Sequence, residues 1–332
     1  MVTRDIVVIG ASAGGVDALI RMVGGLSADL AAALFVVLHL PATHPSVLPA
    51  ILARTSALPA AHAVDGEAIR NGRIYVARPN HHLYVHRGHV RVAVGPRENG
   101  VRPAVDVLFR SASRAYRGRV VGVILSGALS DGAIGLAGIK MRDGTAVVQD
   151  PAEALFVGMP ESALKATPVD YCVSVADIPA IVERLAHSAV DEGVALPMEN
   201  QMDSEERNLA PTGLGPADEK LPGAASGLTC PDCAGSIWEL RDGDTVRYEC
   251  RVGHAYGPEA FLDQQGERVE AALWSAINTL EERAETFSRL AALYPATARF
   301  AGAYEERATE ARRQAGVLRD LLYSLVQSGD VG

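Results

Sequence analysis

The segment Gly10-Ala11-Ser12-Ala13-Gly14 sets one hydroxyl among small residues, directly after the apolar run Ile6 to Ile9 and just before a helical pattern at Val16 to Val23. A glycine-rich turn between strand and helix serves two chemistries. It can cradle a phosphate on helix N–H groups, or it can hold up a nucleophile in the G-x-S-x-G manner. A dinucleotide site needs G-x-G-x-x-G, yet Ser12 takes the middle position, and the next strand pattern ends in His39-Leu40-Pro41 with no acidic residue to hold a ribose. No tyrosine is followed by lysine four residues later, so the proton-transfer pair of a short-chain reductase is missing too.

A serine nucleophile needs a base and an orienting carboxylate. His39 closes the run Leu34 to His39, at the end of a strand where open α/β sheets build their sites. A histidine there can equally be a strand terminator before Pro41. Asp131 follows the run Val120 to Ser126 and stands in a loop before a helical pattern, on the same rim. The ordinary role of such an aspartate is a helix N-cap. Asp150, after Thr145 to Gln149, is a second carboxylate on that rim, whereas Asp5 lies at the wrong end of its strand. The backbone N–H of Ala13 is the candidate oxyanion donor.

A second cluster bears on metal chemistry. Cys230-Pro231-Asp232-Cys233, then sixteen residues, then Cys250 and His254 resemble a rubredoxin-like or zinc-ribbon knuckle pair. Three thiolates and an imidazole suit tetrahedral zinc, and a piece this small has too little core to fold unaided. The alternatives are a metal-free cluster or a C-x-x-C redox pair; no thioredoxin-like pattern surrounds it. The expectation is a structural zinc on Cys230, Cys233, Cys250 and His254, with no cofactor for catalysis.

The elements that must position these residues are legible in the periodicity. Up to about residue 188, apolar strand patterns alternate with helical ones at Pro45 to Ala53, Val105 to Tyr116, Ile134 to Met141 and Ile178 to Ala186. This predicts an α/β class domain: a doubly wound, mostly parallel sheet with helices on both faces. Leu83 to His86 and Val90 to Val94 read as a β-hairpin insertion, and His81 and His82 as residues of its edge without a metal role. Residues 189–227, acidic and rich in proline and glycine, read as a flexible linker. The small metal-knuckle module spans 228–257, and an αα-hairpin or coiled-coil pair, with stripes at three- and four-residue spacing, spans 258–328.

The chain has 332 residues, 48% hydrophobic and 21% charged, and a formal net charge of -9. That excess of acid predicts no nucleic-acid partner. No apolar run approaches the ~20 residues of a membrane span, and the N-terminus enters a strand pattern without a signal-peptide cleavage region, so no membrane insertion and a cytoplasmic location are expected. The four cysteines fit a reducing compartment.

Six segments together resemble the catalytic domain of the CheB-type protein-glutamate methylesterases of bacterial chemotaxis. They are IGASAGG (9–15), LHLPATHPSVLP (38–49), DGEAIRNGRIYVARPNHHL (65–83), RPAVDVLFRSAS (102–113), LSGALSDGAIGL (125–136) and VVQDPAEALFVGMPESAL (147–164). The resemblance covers residues 1–188 and implies a serine carboxylic ester hydrolase with Ser12 as nucleophile, His39 as general base and Asp131 as orienting carboxylate. It implies hydrolysis of glutamate γ-methyl esters on the cytoplasmic helices of methyl-accepting chemoreceptors, with deamidation of receptor glutamines as a second activity. Other chemotaxis signalling proteins are further expected partners, and the C-terminal helices a route to homo-oligomers. Three departures accompany it: the chain starts at the catalytic strand, without the usual receiver domain and its control by phosphorylation; Ala13 stands where threonine is usual; and Gly127-Ala128-Leu129 stands where Gly-Met-Gly is usual. Those departures keep a second reading open, a non-catalytic signalling adaptor that retains the fold and binds its partners through the helical tail.

Overall fold

The structure is a computed structural model that describes residues 2–40, 46–190, 223–243, 245–295 and 299–328. Its first part alternates strands β1 (Ile6–Ala11), β2 (Ala33–Leu38), β3 (Ala60–His62), β4 (Arg73–Val76), β5 (His82–His86), β6 (His89–Ala93), β7 (Val120–Ile124), β8 (Thr145–Gln149) and β9 (Tyr171–Val173) with six α-helices. These are α1 (Gly15–Gly24), α2 (Leu48–Thr55), α3 (Val105–Tyr116), α4 (Ala133–Lys140), α5 (Gly158–Ala166) and α6 (Ile178–Ala186).

Seven strands form one parallel sheet in the order β3-β4-β2-β1-β7-β8-β9. Every residue of β1, β2, β7 and β8 is buried, as a parallel sheet covered on both faces requires. Alternate residues of β1 serve opposite cores. Val7 and Ile9 join Leu19, Met22, Leu52 and Val182 from α1, α2 and α6, while Ile6 and Val8 join Phe109, Leu136 and Met159 from α3, α4 and α5. The sheet is therefore doubly wound. Its strand order reverses at β1, where the chain having built outward through β2 and β4 returns to add β7 on the other side. At such a switch point the flanking connections diverge and leave a crevice outside the carboxyl ends of the strands.

Strands β5 and β6 pair antiparallel as a separate hairpin. His82 opens β5 at the end of that hairpin, yet it is buried there. It is 1% exposed, with Nε2 bonded to the Pro96 carbonyl at 2.8 Å and Nδ1 accepting from the Ala104 N–H at 3.2 Å, so it ties together the two ends of the loop that precedes α3.

The region read as a linker needs correcting at both ends. Ala189 forms a β-bridge with Thr3, and strand β10 (Ala224–Thr229) takes in the last four residues of the predicted stretch. Its composition, AASGLT, carries no alternation, so only the pairing with its neighbour makes it a strand. Residues 191–222 lie outside the described residues. Strands β11 (Ser236–Asp242), β12 (Thr245–Cys250) and β13 (Ala255–Tyr256) complete a four-stranded antiparallel sheet in chain order.

Two compact units result, residues 1–260 and 261–332, so the cysteine-bearing sheet groups with the α/β domain. Helix α7 (Pro258–Ala292) leads into the second unit and α8 (Arg299–Ser328) returns. Within that unit Arg319 pairs with Glu281, Arg312 with Ser288 and Tyr304 stacks near Tyr294, a register that makes the two helices antiparallel. Ile277, Ala284, Ala308, Ala315 and Leu322 are buried in it.

Candidate active site and metal centre

Ser12 follows β1 in a turn whose geometry depends on glycine. Gly14 has φ 71°, a left-handed conformation that side chains resist, and a Cβ there would lie 2.8 Å from the Ser126 hydroxyl. Gly127 permits a close approach: a Cβ on it would stand 2.1 Å from Met159 Sδ and 3.0 Å from Ser12 Cβ. Ser126 fixes the turn from the side. Its hydroxyl donates to the Ala13 carbonyl at 2.9 Å and accepts from the Phe156 N–H at 3.0 Å, while Gln149 Oε1 accepts its backbone N–H at 2.9 Å. Among the described residues no hydrogen bond joins the Ser12 hydroxyl to the His39 imidazole.

His39 extends the ladder one residue beyond β2, its N–H bonded to the Ala11 carbonyl at 3.2 Å. Its Nε2 meets Asp131 Oδ2 at 2.8 Å. Since Nε2 faces the carboxylate, Nδ1 is the ring nitrogen left for another partner. Asp131, almost wholly buried, receives three more hydrogen bonds: Val105 N–H at 2.6 Å, Asp106 N–H at 3.2 Å and Asn99 Nδ2 at 2.8 Å. Two of these are the first N–H groups of α3, whose own N-cap residue, Ala104, supplies no side-chain bond. The N-cap reading of Asp131 thus holds for a different helix. It caps α3 in trans, where helix polarity favours negative charge. Asp106 of α3 returns the service, accepting from Gly135 N–H of α4 at 2.6 Å.

Asp150 does not join this group. Its Oδ1 accepts the Ala152 N–H at 2.9 Å in a local turn at the end of β8, and β1 and β7 separate that strand from β2.

The charge balance around the pair has two opposed members. Burial, then the charges of Asp131 and Glu98, pushes the Asp106 carboxyl up from 3.8 to about 8. Burial would also raise Glu98, but Arg110, which clasps it at 2.7 and 2.8 Å, together with Arg247 brings it down to about 2. The signs for stability differ. Asp106 holds a proton that the unfolded chain has lost above pH 3.8, so its contribution is complete below that value and declines as pH rises through about 8. Glu98 contributes above its ordinary 4.5, and that contribution is lost as pH falls through about 2. Chemical denaturation from about pH 5 to about pH 8 should show a falling midpoint in the wild-type chain and a shallower fall in Asp106→Asn; equal slopes in the two chains would remove Asp106 as the source.

The loop before Asp131 carries strain. Leu129, at the position where the resemblance puts glycine, has φ 63° and is 44% exposed. A branched side chain in the left-handed region costs about 1 kcal/mol or more.

Sequence reasoning missed Asn99, Asp106, His82 and Ser126 as parts of this arrangement. For Asn99 a signal was present: Asn99-Gly100 is the dipeptide of a tight turn in which both central residues take positive φ, here 53° and 73°.

A cavity of about 320 Å³ has His39, Asn80, Arg97, Val101 and Arg102 in its walls. Arg102 is fixed there by Asn80 Oδ1 at 2.6 and 2.9 Å and by the Gly95 carbonyl.

The four residues expected to hold metal do converge. The ligand atoms of Cys230, Cys233, Cys250 and His254 all lie within 4.8 Å of one another. The separations are 3.6 Å for Cys233 Sγ to Cys250 Sγ, 3.6 Å for Cys250 Sγ to His254 Nδ1, and 3.8 Å for Cys230 Sγ to His254 Nδ1. Tetrahedral zinc with its usual bond lengths spaces two thiolates by about 3.8 Å and a thiolate and imidazole by about 3.6 Å. A disulfide needs an S–S distance near 2.05 Å, so the cluster has the dimensions of a metal site. Burial and then the neighbouring Cys230 push the Cys250 thiol up to about 12, the cost of crowding anionic sulfurs that a divalent cation would offset.

A doubly wound parallel sheet, with a serine turn, an imidazole and a buried carboxylate along its carboxyl rim at the switch point, has the layout of an α/β-class protein with its site outside the strand ends. Comparison with known proteins narrows this. The family model described as CheB methylesterase matches residues 7–182, and the chain belongs to that family. The catalytic domain of CheB methylesterase from Thermotoga maritima aligns with a TM-score of 0.53 and 32% identity, over 55% of this chain and 98% of that one. A Leptospira interrogans protein, named provisionally as a protein-glutamate methylesterase/protein-glutamine glutaminase, is 38% identical over 189 residues, which is 57% of this chain and 98% of that protein. Protein-glutamate methylesterase/protein-glutamine glutaminase 5 of Anaeromyxobacter dehalogenans is 38% identical over 188 residues, and the match spans 51% of its length. The family's match ends before the cysteine cluster. Among the described residues, no helix is long and apolar enough to cross a membrane.

Proposed function

We propose that residues 1–188 hydrolyse glutamate γ-methyl esters on the cytoplasmic helices of chemoreceptors, releasing methanol, by acyl transfer through Ser12. The observation that carries this reading is the His39–Asp131 pair at 2.8 Å on the rim shared with the Ser12 turn. His39 Nδ1 takes the Ser12 proton as the hydroxyl attacks the ester carbonyl; Asp131, bonded to Nε2, fixes the tautomer and stabilises the imidazolium. The Ala13 N–H stabilises the oxyanion at the start of α1. The imidazolium then protonates departing methanol, and water cleaves the acyl-enzyme with the same histidine as base. Glutamine deamidation follows the same course, with ammonia leaving.

A protein substrate suits the surroundings. Leu129, Leu155 and Phe156 are large exposed apolar residues on the loops around Ser12, and the guanidinium groups of Arg97 and Arg102 beside His39 complement an acidic helix. Such receptor segments face the cytoplasm, which is where we assign the protein.

The test is mass spectrometry of a methylated receptor peptide incubated with the full chain, wild type beside Ser12→Ala. Loss of the methyl mass with the wild type alone is expected; persistence of the ester with both chains would leave the adaptor reading in its place.

We further assign zinc to Cys230, Cys233, Cys250 and His254, where it would act as a structural cross-link and take no part in hydrolysis. Elemental analysis of the purified chain should give about one zinc per molecule, and Cys230→Ser with Cys233→Ser should abolish it. A folded module with no bound metal, shown by protected amides in β11 and β12, would refute the assignment.

A further inference from the structure

The loop from Gly95 to Ala104 has two working faces. Toward the cavity it presents Arg97, Val101 and Arg102 beside His39. On its other side Glu98 and Asn99 are buried, 6% and 5% exposed, and both meet the segment that directly follows the candidate metal ligand His254. Glu98 forms a parallel bridge with Ala255; the Asn99 N–H donates to the Ala255 carbonyl at 2.8 Å, and the Ala255 N–H donates to the Arg97 carbonyl at 3.3 Å.

The side chain of Asn99 connects the two sides. Its Oδ1 accepts the Gly257 N–H at 2.9 Å, and its Nδ2 spends both hydrogens on carboxyl oxygens, Asp131 Oδ1 and Asp106 Oδ2, each at 2.8 Å. The single amide is thus seated between the cysteine-bearing module, which binds its oxygen, and the two acidic side chains, one of which holds His39. Without the Gly257 donor the amide oxygen loses its hydrogen-bond partner on that side, and the side chain loses the contact that holds it at this distance from Asp131.

We propose that Asn99 is a positioning residue for Asp131, and that the Cys3His module, through the Gly257 N–H, holds it in place so that the module's integrity sets how well the triad is assembled. The kinetic part of this inference rests on the esterase reading; the structural part does not.

The experiment uses four full-length chains: wild type, Asn99→Gly, Cys230→Ser with Cys233→Ser, and the combination. Glycine removes the amide while accepting φ 53° without strain. The first readout needs no turnover: the far-downfield proton resonance of the His39 imidazole N–H held by Asp131. It is expected in wild type and should be lost or moved upfield in each variant. The second is kcat and KM on a small ester, with kcat counted per Ser12 labelled to completion by a fluorophosphonate, so that unfolded molecules drop out. Asn99→Gly and the cysteine variant should each lower kcat about 10- to 100-fold with KM within about twofold. Their combination should cost much less than the product of the two, because both act through one amide.

A cysteine variant with wild-type resonance and wild-type kcat per labelled serine overturns the proposal, as do multiplying effects in the combined chain or a resonance absent from wild type. If wild type hydrolyses no ester and takes no label, the esterase reading fails, and the resonance alone still decides the proposal in either direction.

Discussion

Replacing Ser12 with alanine is expected to lower ester hydrolysis by about 10⁴- to 10⁶-fold while leaving the stability of the chain within about 0.5 kcal/mol of wild type. Both halves of this result follow from how the residue is held. The backbone bonds of Ser12, its N–H to the Ser126 carbonyl at 3.0 Å and its carbonyl from the Gly15 N–H at 2.9 Å, survive the substitution. So does the Cβ that packs close to Gly127. The hydroxyl makes no hydrogen bond among the described residues, so its removal strands no buried donor or acceptor. In the proposed mechanism what disappears is the atom that forms the acyl-enzyme, so the remaining groups could only assist direct attack by water. Methanol release and denaturant unfolding on the same preparation check the two halves together. A Ser12→Ala chain with near wild-type turnover would remove the serine from the mechanism.

Asp131→Asn is expected to damage both properties at once. Its two oxygens each accept two hydrogen bonds, Oδ2 from His39 and Val105 N–H, Oδ1 from Asn99 and Asp106 N–H. An asparagine has one oxygen, so whichever way it turns, an NH₂ group confronts two donors in a buried site. Leaving two such groups unmatched costs about 2–4 kcal/mol, and loss of the fixed tautomer should lower turnover by about 10⁴-fold. Circular dichroism melts alongside single-turnover hydrolysis measure the two losses. Retained activity with reduced stability would restrict Asp131 to its capping role.

Much of this site was legible because strong local signals coincide with it. The apolar runs that became β1, β2, β7 and β8 are buried on both faces and flanked by turns, so their carboxyl ends, and with them Ser12, His39 and Asp131, could be located from one sequence. Helices α3 and α6 were placed at their observed bounds for the same reason, since their buried stripes are unbroken. Weak elements escaped. Strand β3 has three half-buried residues, and α5 opens with Gly158 and includes Pro160 near its start, which blurs its period.

What could not be read was contact across the chain. Asn99 and Gly257 are separated by more than half the catalytic domain's length, and no local pattern joins a turn asparagine to an amide beyond a cysteine cluster. Nor does periodicity reveal that Asp131 serves α3 while Asp106 serves α4, because a cap supplied from a distant segment leaves both helices without a capping signal of their own. His82 illustrates the same limit: next to Asn80 and His81 it looks peripheral, and only the approach of Pro96 and Ala104 buries it.

The reciprocal service between α3 and α4 bears on how related chains should be judged. A descendant that gave up hydrolysis would still need an acid at position 131 to keep two helices seated, so retention of that aspartate says little about whether a homologue remains an enzyme. The serine at position 12 carries no such structural duty and is free to drift once turnover no longer matters. Between the two, the hydroxyl is the informative witness in a suspected pseudoenzyme.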